Sequence, residues 1–384
     1  MALAISTPAR ADTVELHAHL FMKEGMTWAF RGDFFGPLQA TSWQDKFSSQ
    51  ANPEALEKSG LSIVVATLYA HPLFTLSLRD SIRRQIALAR KFALETPNWV
   101  LATEPDQAEE ALAQGKHVMI LALEGASGIL ETDDDIKEFV DEGGIRIVGP
   151  LHLTDDAFGG VAFLRGWHVL SDPIAWLVET FKRSFQNHSK EDSVLTNEKG
   201  LTQEGKGIIK KLLEHHVWID LAHASDASMK QMIEIIEPYH QPLIYTHAVL
   251  RKYHHAERGI TEEIIKEINR TGGILGLMPS EEYLEGAPTS ADCPSSIYGL
   301  SEEYKEVAAI LGSDSIMMGS DYNGGLPHLR PGCHTGTSLD SEGLWNMGQI
   351  PELWSGLKAL GAPVPSPLSK MADRFVATWK KVRN

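Results

Sequence analysis

Thr13-Val14-Glu15-Leu16-His17-Ala18-His19 opens the interpretable part of the chain and decides between two architectures. Its β-branched and apolar residues make residues 13–19 a strand candidate. In an open doubly wound sheet the first strand runs into a glycine-rich phosphate loop. Here it runs into a His-x-His pair, and period-two alternation points both imidazoles to one face. Seven further β-rich runs follow, at residues 62–69, 117–124, 145–153, 217–223, 243–247, 273–278 and 315–321. Most are nearly continuous apolar runs, the pattern of parallel strands covered on both faces. Amphipathic stretches at 78–94, 202–215, 261–270 and 301–311 lie between them, with Ser, Thr or Asn at the helix starts. Eight strands alternating with helices predict an α/β fold, a single (β/α)8 TIM-type barrel. The residues beyond a barrel of ~250 are assigned to long loops on its carboxyl-terminal face, chiefly 154–200 and 283–300, and to a helical tail after Asp340.

Composition narrows the function without naming it. The 384 residues carry 35 basic and 51 acidic side chains, a formal charge of −16, which opposes binding to nucleic acid or an anionic membrane surface. No apolar run approaches the ~18–20 residues of a membrane-spanning helix. Two cysteines, Cys293 and Cys333, exclude a disulfide framework and leave one isolated bridge open; neither a thiolate metal site nor a redox pair is expected of them. Residues 1–11, MALAISTPARA, read as a frayed amino terminus or the remnant of a trimmed signal, because Ala9-Arg10-Ala11 has the form of a cleavage site without the basic start of a full signal. The cytoplasm is accordingly expected ahead of the periplasm or export.

The positions of the titratable residues carry more. His17 and His19 end the first strand, Glu124 the third, His152 the fourth, His223 the fifth, His247 the sixth and Asp321 the eighth. In such a barrel these strand ends meet at one mouth, where the active site forms. Several imidazoles with carboxylates in one cavity describe a site for Zn²⁺ or a similar borderline ion. His152 alone would read as a hydrogen-bonded rim residue. Glu124, closing an apolar run, is different, because an unpaired buried carboxylate is costly without a cation or several donors. His215 and His216 read as residues at a helix end and Asp133-Asp134-Asp135 as a solvated first turn. His254 and His255 stay open between the mouth and the surface.

These residues resemble a known family. Trp218-Ile219-Asp220-Leu221-Ala222-His223, Thr246-His247-Ala248-Val249-Leu250-Arg251 and Met318-Gly319-Ser320-Asp321-Tyr322-Asn323-Gly324 are similar to motifs of the membrane (renal) dipeptidase family of the amidohydrolase superfamily. Glu124-Gly125 and the run from Gly144 to His152 fall at that family's third and fourth strands. The resemblance implies that residues 12–384 form one metal-dependent amidohydrolase-type barrel holding two zinc ions. His17 would bind the first metal, His223 and His247 the second, with Glu124 bridging. Asp321 would act as general base and then acid, His152 would stabilise the oxyanion, and Arg251 would bind the substrate carboxylate. The implied reaction is hydrolysis of a dipeptide, L-Xaa-D-Xaa among them, and the implied assembly a homodimer.

Two departures stand out. The family's opening motif is His-x-Asp, and here His19 replaces the aspartate, which leaves a single-metal centre open. After His152 the family tends to carry Asn where this chain has Asp155 and Asp156, and one of these is expected to meet a cationic group such as the substrate α-amino group. The alternatives are an amidohydrolase acting on a lactone, cyclic amide or N-acyl amino acid, and a barrel without catalysis that serves as a binding protein.

Overall fold

The computed structural model describes residues 13–25, 34–40, 48–72, 75–163, 194–293 and 296–383. The amino-terminal 1–11 and the middle of the expected loop 154–200 fall outside them. Nine strands form one sheet: β1 (Thr13–Ala18), β2 (Leu61–Leu68), β3 (Trp99–Leu101), β4 (His117–Glu124), β5 (Ile145–Gly149), β6 (Trp218–Ile219), β7 (Ile244–Ala248), β8 (Ile274–Leu277) and β9 (Ile316–Met318). All pairings between them are parallel, in the order β6-β5-β4-β2-β1-β9-β8-β7, and a bridge from Asp220 to Ile244 brings the two ends together. Eight strands thus make a nearly closed barrel, as expected. The ninth, β3, was not anticipated; it pairs with His117–Met119, below the part of β4 that pairs with β5.

The reason for closure is the burial pattern. Every residue of β1, β2, β5, β7, β8 and β9 is buried, and so is every residue of β4 after His117. Strands apolar on both faces need cover on both, which the barrel interior and the surrounding helices supply. The helices start where side chains can cap them: Ser77 accepts from Asp80 N before the helix Leu78–Glu95, Thr202 from Gly205 N before Gln203–Glu214, and Thr261 from Ile264 N before Glu262–Thr271. Thr132 and Asp135 form a capping box at the helix Asp133–Ile136, so the acidic run is the first turn that was anticipated. The helix expected at 301–311 begins earlier, Ser296–Leu311, and the tail contributes Ile350–Ala359 and Ser369–Arg383. Cys293 and Cys333, from the loops after β8 and β9, are joined by a disulfide. Among the described residues no helix is long and apolar enough to cross a membrane.

Two glycines set the interior spacing. A Cβ on Gly276 of β8, or on Gly319 just past β9, would come within 2.0 Å of the Thr246 carbonyl oxygen. Only glycine lets these strands pass so close to β7, and the approach brings Thr246 and His247 into the barrel mouth.

Candidate metal centre

The strand ends deliver seven titratable side chains to one place. Glu124, the last residue of β4, is the hub. Its Oε1 lies 3.0 Å from His223 Nε2, 3.5 Å from His17 Nε2 and 3.6 Å from His247 Nε2. Its Oε2 lies 3.3 Å from both His19 Nε2 and His152 Nε2. Asp321 Oδ1 approaches His19 Nε2 at 3.1 Å and His17 Nε2 at 4.0 Å. His17 and His19 bring their Nε2 atoms to 3.3 Å, and His223 and His247 to 2.9 Å. The ligand-type atoms fall into three overlapping triads, His17–His19–Asp321, His17–Glu124–His247 and Glu124–His152–His223.

The backbone is bent to reach this arrangement. His223 and Asp321 both sit at left-handed φ, 65° and 55°. Side-chain-bearing residues seldom adopt that region, and when they do it is commonly at sites where the structure around them holds the strain. Gly324 makes room beside Asp321, since a Cβ there would meet Oδ1 at 1.9 Å.

Whether these residues suit a cation can be judged from their own hydrogen bonds. Glu124 Oε1 and Oε2 and Asp321 Oδ1 are buried with no hydrogen-bond partner among the described residues. Carboxylate oxygens without donors are costly away from water, and a metal ion removes that cost. The imidazoles are also turned the right way. His19 Nδ1 donates to Thr67 O, and the Nδ1 atoms of His17 and His247 both meet the Thr246 hydroxyl, so all three direct Nε2 inward. Burial lowers the pKa values of His223 and His247 well below the ordinary value and that of His152 to about 3, which keeps these rings neutral, the form that ligates. Burial pushes the Glu124 carboxyl up, but the surrounding imidazoles of His152, His17 and His223 override it and hold it well down. His19 goes the other way: burial lowers it, yet Asp321 and Glu124 raise it to about 10, so a positive charge is favoured where it stands. The donor set fits one or two divalent cations.

Other expected residues have partners within the fold. Arg251 has its fork engaged there. Its Nη1 and Nη2 donate to the two carboxylate oxygens of Asp226 at 2.8 and 2.6 Å, Nη2 also to Glu257 O, and Nε to Gly259 O. Asp155 and Asp156 hold their own loop: Asp155 Oδ1 accepts from Val161 N and Asn197 Nδ2, and Asp156 Oδ1 from Phe158 N and Gly159 N. Asp156 also lines a cavity of about 350 Å³ beside His152, with Tyr69, His71, Gly125 and Ser127. Burial raises its pKa to about 6. His254 lies against the Tyr283 ring, 4.4 Å between centroids, outside the triads.

One residue was missed. Arg258 is 1% exposed, donates from Nη2 to His247 O and from Nη1 to Tyr245 Oη, each at 3.0 Å, and keeps a buried Nε without a hydrogen-bond partner among the described residues. A lone arginine in a loop sequence gives no sign of such burial, and only its fixed place behind His247 distinguishes it.

The family model described as membrane dipeptidase, peptidase family M19, matches residues 161–332. An uncharacterised protein from the PQQ-III 3' region of Acinetobacter calcoaceticus is 24% identical over 193 residues, 50% of this chain and 52% of its own. Dipeptidase 3 of Mus musculus is 22% identical over 249 residues, 64% of this chain and 43% of its own. The matched part thus spans about half the length of these curated relatives. A metallopeptidase from Rhodobacter sphaeroides, solved with a phosphinate mimic of the dipeptide L-Ala-D-Ala, superposes with a TM-score of 0.69 at 15% identity, covering 96% of this chain and 99% of its own. A probable dipeptidase from Pseudomonas aeruginosa superposes with a TM-score of 0.64 at 13% identity, covering 97% and 94%. At such identities the likeness of the two structures concerns the barrel fold. The family-model match and the dipeptidase among the curated relatives make this chain similar to the membrane dipeptidase family over the residues they match.

Proposed function

We propose that this chain is a metallo-dipeptidase that hydrolyses the peptide bond of small dipeptides, with two zinc ions as its cofactor. The observation that carries this reading is the Glu124 carboxylate, buried, without hydrogen-bond partners among the described residues and ringed by the Nε2 atoms of five imidazoles. His17, His19, Glu124, His223 and His247 would hold the cations. Once bound, these would polarise the scissile carbonyl and acidify a water at neutral pH.

The remaining steps fall to the chain's own groups. Asp321, at the rim of the cluster, would take the proton from the attacking water and deliver it to the leaving amine. His152, neutral through burial, would donate its N–H to the oxygen that becomes negative, a contribution of roughly 10²–10³ in rate. Arg258 replaces Arg251 as the proposed partner of the substrate carboxylate, because it lies buried behind His247 with one N–H to spare. Of the two aspartates after His152, Asp156 is the one facing the adjacent cavity and would receive the α-amino group. Acceptance of a D-residue at the carboxyl side follows the L-Ala-D-Ala mimic bound by the Rhodobacter protein. A homodimer rests on the family resemblance alone.

Elemental analysis of the purified protein beside a panel of L-Xaa-L-Xaa and L-Xaa-D-Xaa dipeptides tests the reading. About two zinc ions per chain are expected, with turnover reduced at least ~10³-fold by Asp321→Asn while zinc content persists, in line with loss of a general acid–base group. Zinc occupancy without dipeptide cleavage would move the substrate to lactones, cyclic amides or N-acyl amino acids. Failure to take up metal would leave a binding protein.

A further inference from the structure

Thr246, directly before His247, is buried, and three groups converge on its hydroxyl. His17 Nδ1 lies at 3.0 Å, His247 Nδ1 at 2.9 Å and Asp220 Oδ2 at 2.5 Å. The other oxygen of Asp220 accepts the backbone N–H groups of Thr246 and Ala222, at 3.0 and 3.1 Å. A hydroxyl has one hydrogen and two lone pairs. Asp220 acts as acceptor in both backbone contacts, and an O–O separation of 2.5 Å is that of a charge-assisted bond, so the hydroxyl hydrogen goes to Asp220. Both lone pairs are then acceptors, and their donors are Nδ1–H of His17 and Nδ1–H of His247. A neutral ring protonated on Nδ1 carries its lone pair on Nε2, and these two Nε2 atoms stand 3.5 and 3.6 Å from Glu124 Oε1.

We propose that Asp220 and Thr246 form a positioning pair that sets the tautomer of His17 and His247 together, one hydroxyl preparing a ligand from β1 and a ligand from β7 for metal. The proposal rests on the metal-centre reading above and deepens it. It makes metal competence depend on two residues that are not themselves ligands, and it links the two ends of the cluster, since the Thr246 hydroxyl can satisfy both rings only while its hydrogen is committed to Asp220.

Zinc alone is the probe, titrated into metal-stripped full-length protein against a chromophoric chelator. Thr246→Val keeps the shape and removes the hydroxyl; it is expected to weaken zinc binding at both positions by ~10–100-fold, the usual effect of losing an outer partner of a ligand, and Thr246→Ser to restore it. Asp220→Asn has a different signature. Its amide oxygen keeps the two backbone N–H groups, which turns its NH₂ toward Thr246. The hydroxyl must then donate to one ring, that ring carries its proton on Nε2, and one zinc position is weakened while the other is kept. Wild-type protein that takes up no zinc would remove the metal-centre reading itself. Wild type that loads, with Thr246→Val and Asp220→Asn loading as tightly, would overturn the pairing and leave the centre standing. Should the valine variant fail to fold, ¹H–¹⁵N correlation of the imidazoles in metal-free wild type at pH 8 gives the answer directly. Nδ1–H on both His17 and His247 is expected, and Nε2–H on either would overturn the proposal.

Discussion

Two seams of the barrel are built differently. Between β2 and β4 the backbone ladder runs in unbroken register from Ile63 opposite Val118 to Leu68 opposite Leu123. Between β6 and β7 the ladder shrinks to one bridge, Asp220 to Ile244, and side chains take its place. Gln241 accepts from Ile219 N and donates to Val217 O, Trp218 Nε1 donates to Pro242 O, and Asp220 accepts from Thr246 N and its hydroxyl. A carbonyl of the regular ladder can orient one ring, as Thr67 O does for His19. A side-chain hydroxyl standing in for the ladder can serve two rings at once, as that of Thr246 does for His17 and His247. The irregular seam therefore carries the wiring of the metal cluster, while the regular one supplies a rigid frame that ends in Glu124 and in the Thr67 carbonyl that anchors His19.

Mutations can separate frame from wiring. Losses of stability are expected to be of similar size in the two seams, and zinc affinity is what tells them apart. Ile120, fully buried in β4, loses about 2–5 kcal/mol of stability on replacement by alanine. Denaturant titration should show that loss with zinc affinity unchanged, and a matching fall in zinc affinity would break the contrast. Gln241→Ala comes next, leaving Ile219 N and Val217 O without their partner at about 1–3 kcal/mol for each orphaned group. Here zinc affinity should fall as well, by less than the ~10–100-fold of a ligand's direct outer partner, because Asp220 follows Ile219 in the chain. Unchanged zinc binding would confine the wiring to Asp220 and Thr246.

The smallest effect belongs to Glu303, whose Oε1 accepts from Leu250 N just past β7 and continues the use of side chains there. Burial raises its carboxyl from 4.5 to about 8. A carboxyl raised in the fold contributes stability that is complete below its unfolded value, near 4.5, and is lost as pH rises through about 8. Glu303→Gln mimics the protonated form, so it should match wild type at pH 4 and melt ~1–3 °C higher above pH 8. Thermal melts across that range check the sign; a difference independent of pH would mean that the group does not titrate in the fold.

Much of this was legible in the sequence because strands buried on both faces announce themselves as apolar runs, and a polar residue that ends such a run stands out. That logic found all eight barrel strands and brought His17, His19, Glu124, His152, His223, His247 and Asp321 to one mouth. It failed where side chains replace the ladder. Residues 217–223 read as an ordinary strand, yet β6 is only Trp218–Ile219, and Asp220 and Thr246 looked like interior residues of strands. The arginines failed for another reason. Arg251 opens the one-turn helix Arg251–His254 and Arg258 lies in the turn after it, where spacing does not fix direction, and only the fold reveals that Asp226 claims the first while the second lies behind His247.

Glu257 has a consequence of another kind. Its Oε2 accepts from Phe163 N and Asn197 N, and its Oε1 from Asp226 N, so a single buried carboxylate holds residues 163, 197 and 226 together. One carboxylate thus knots together three stretches that are far apart in the chain, and its loss would release all three at once.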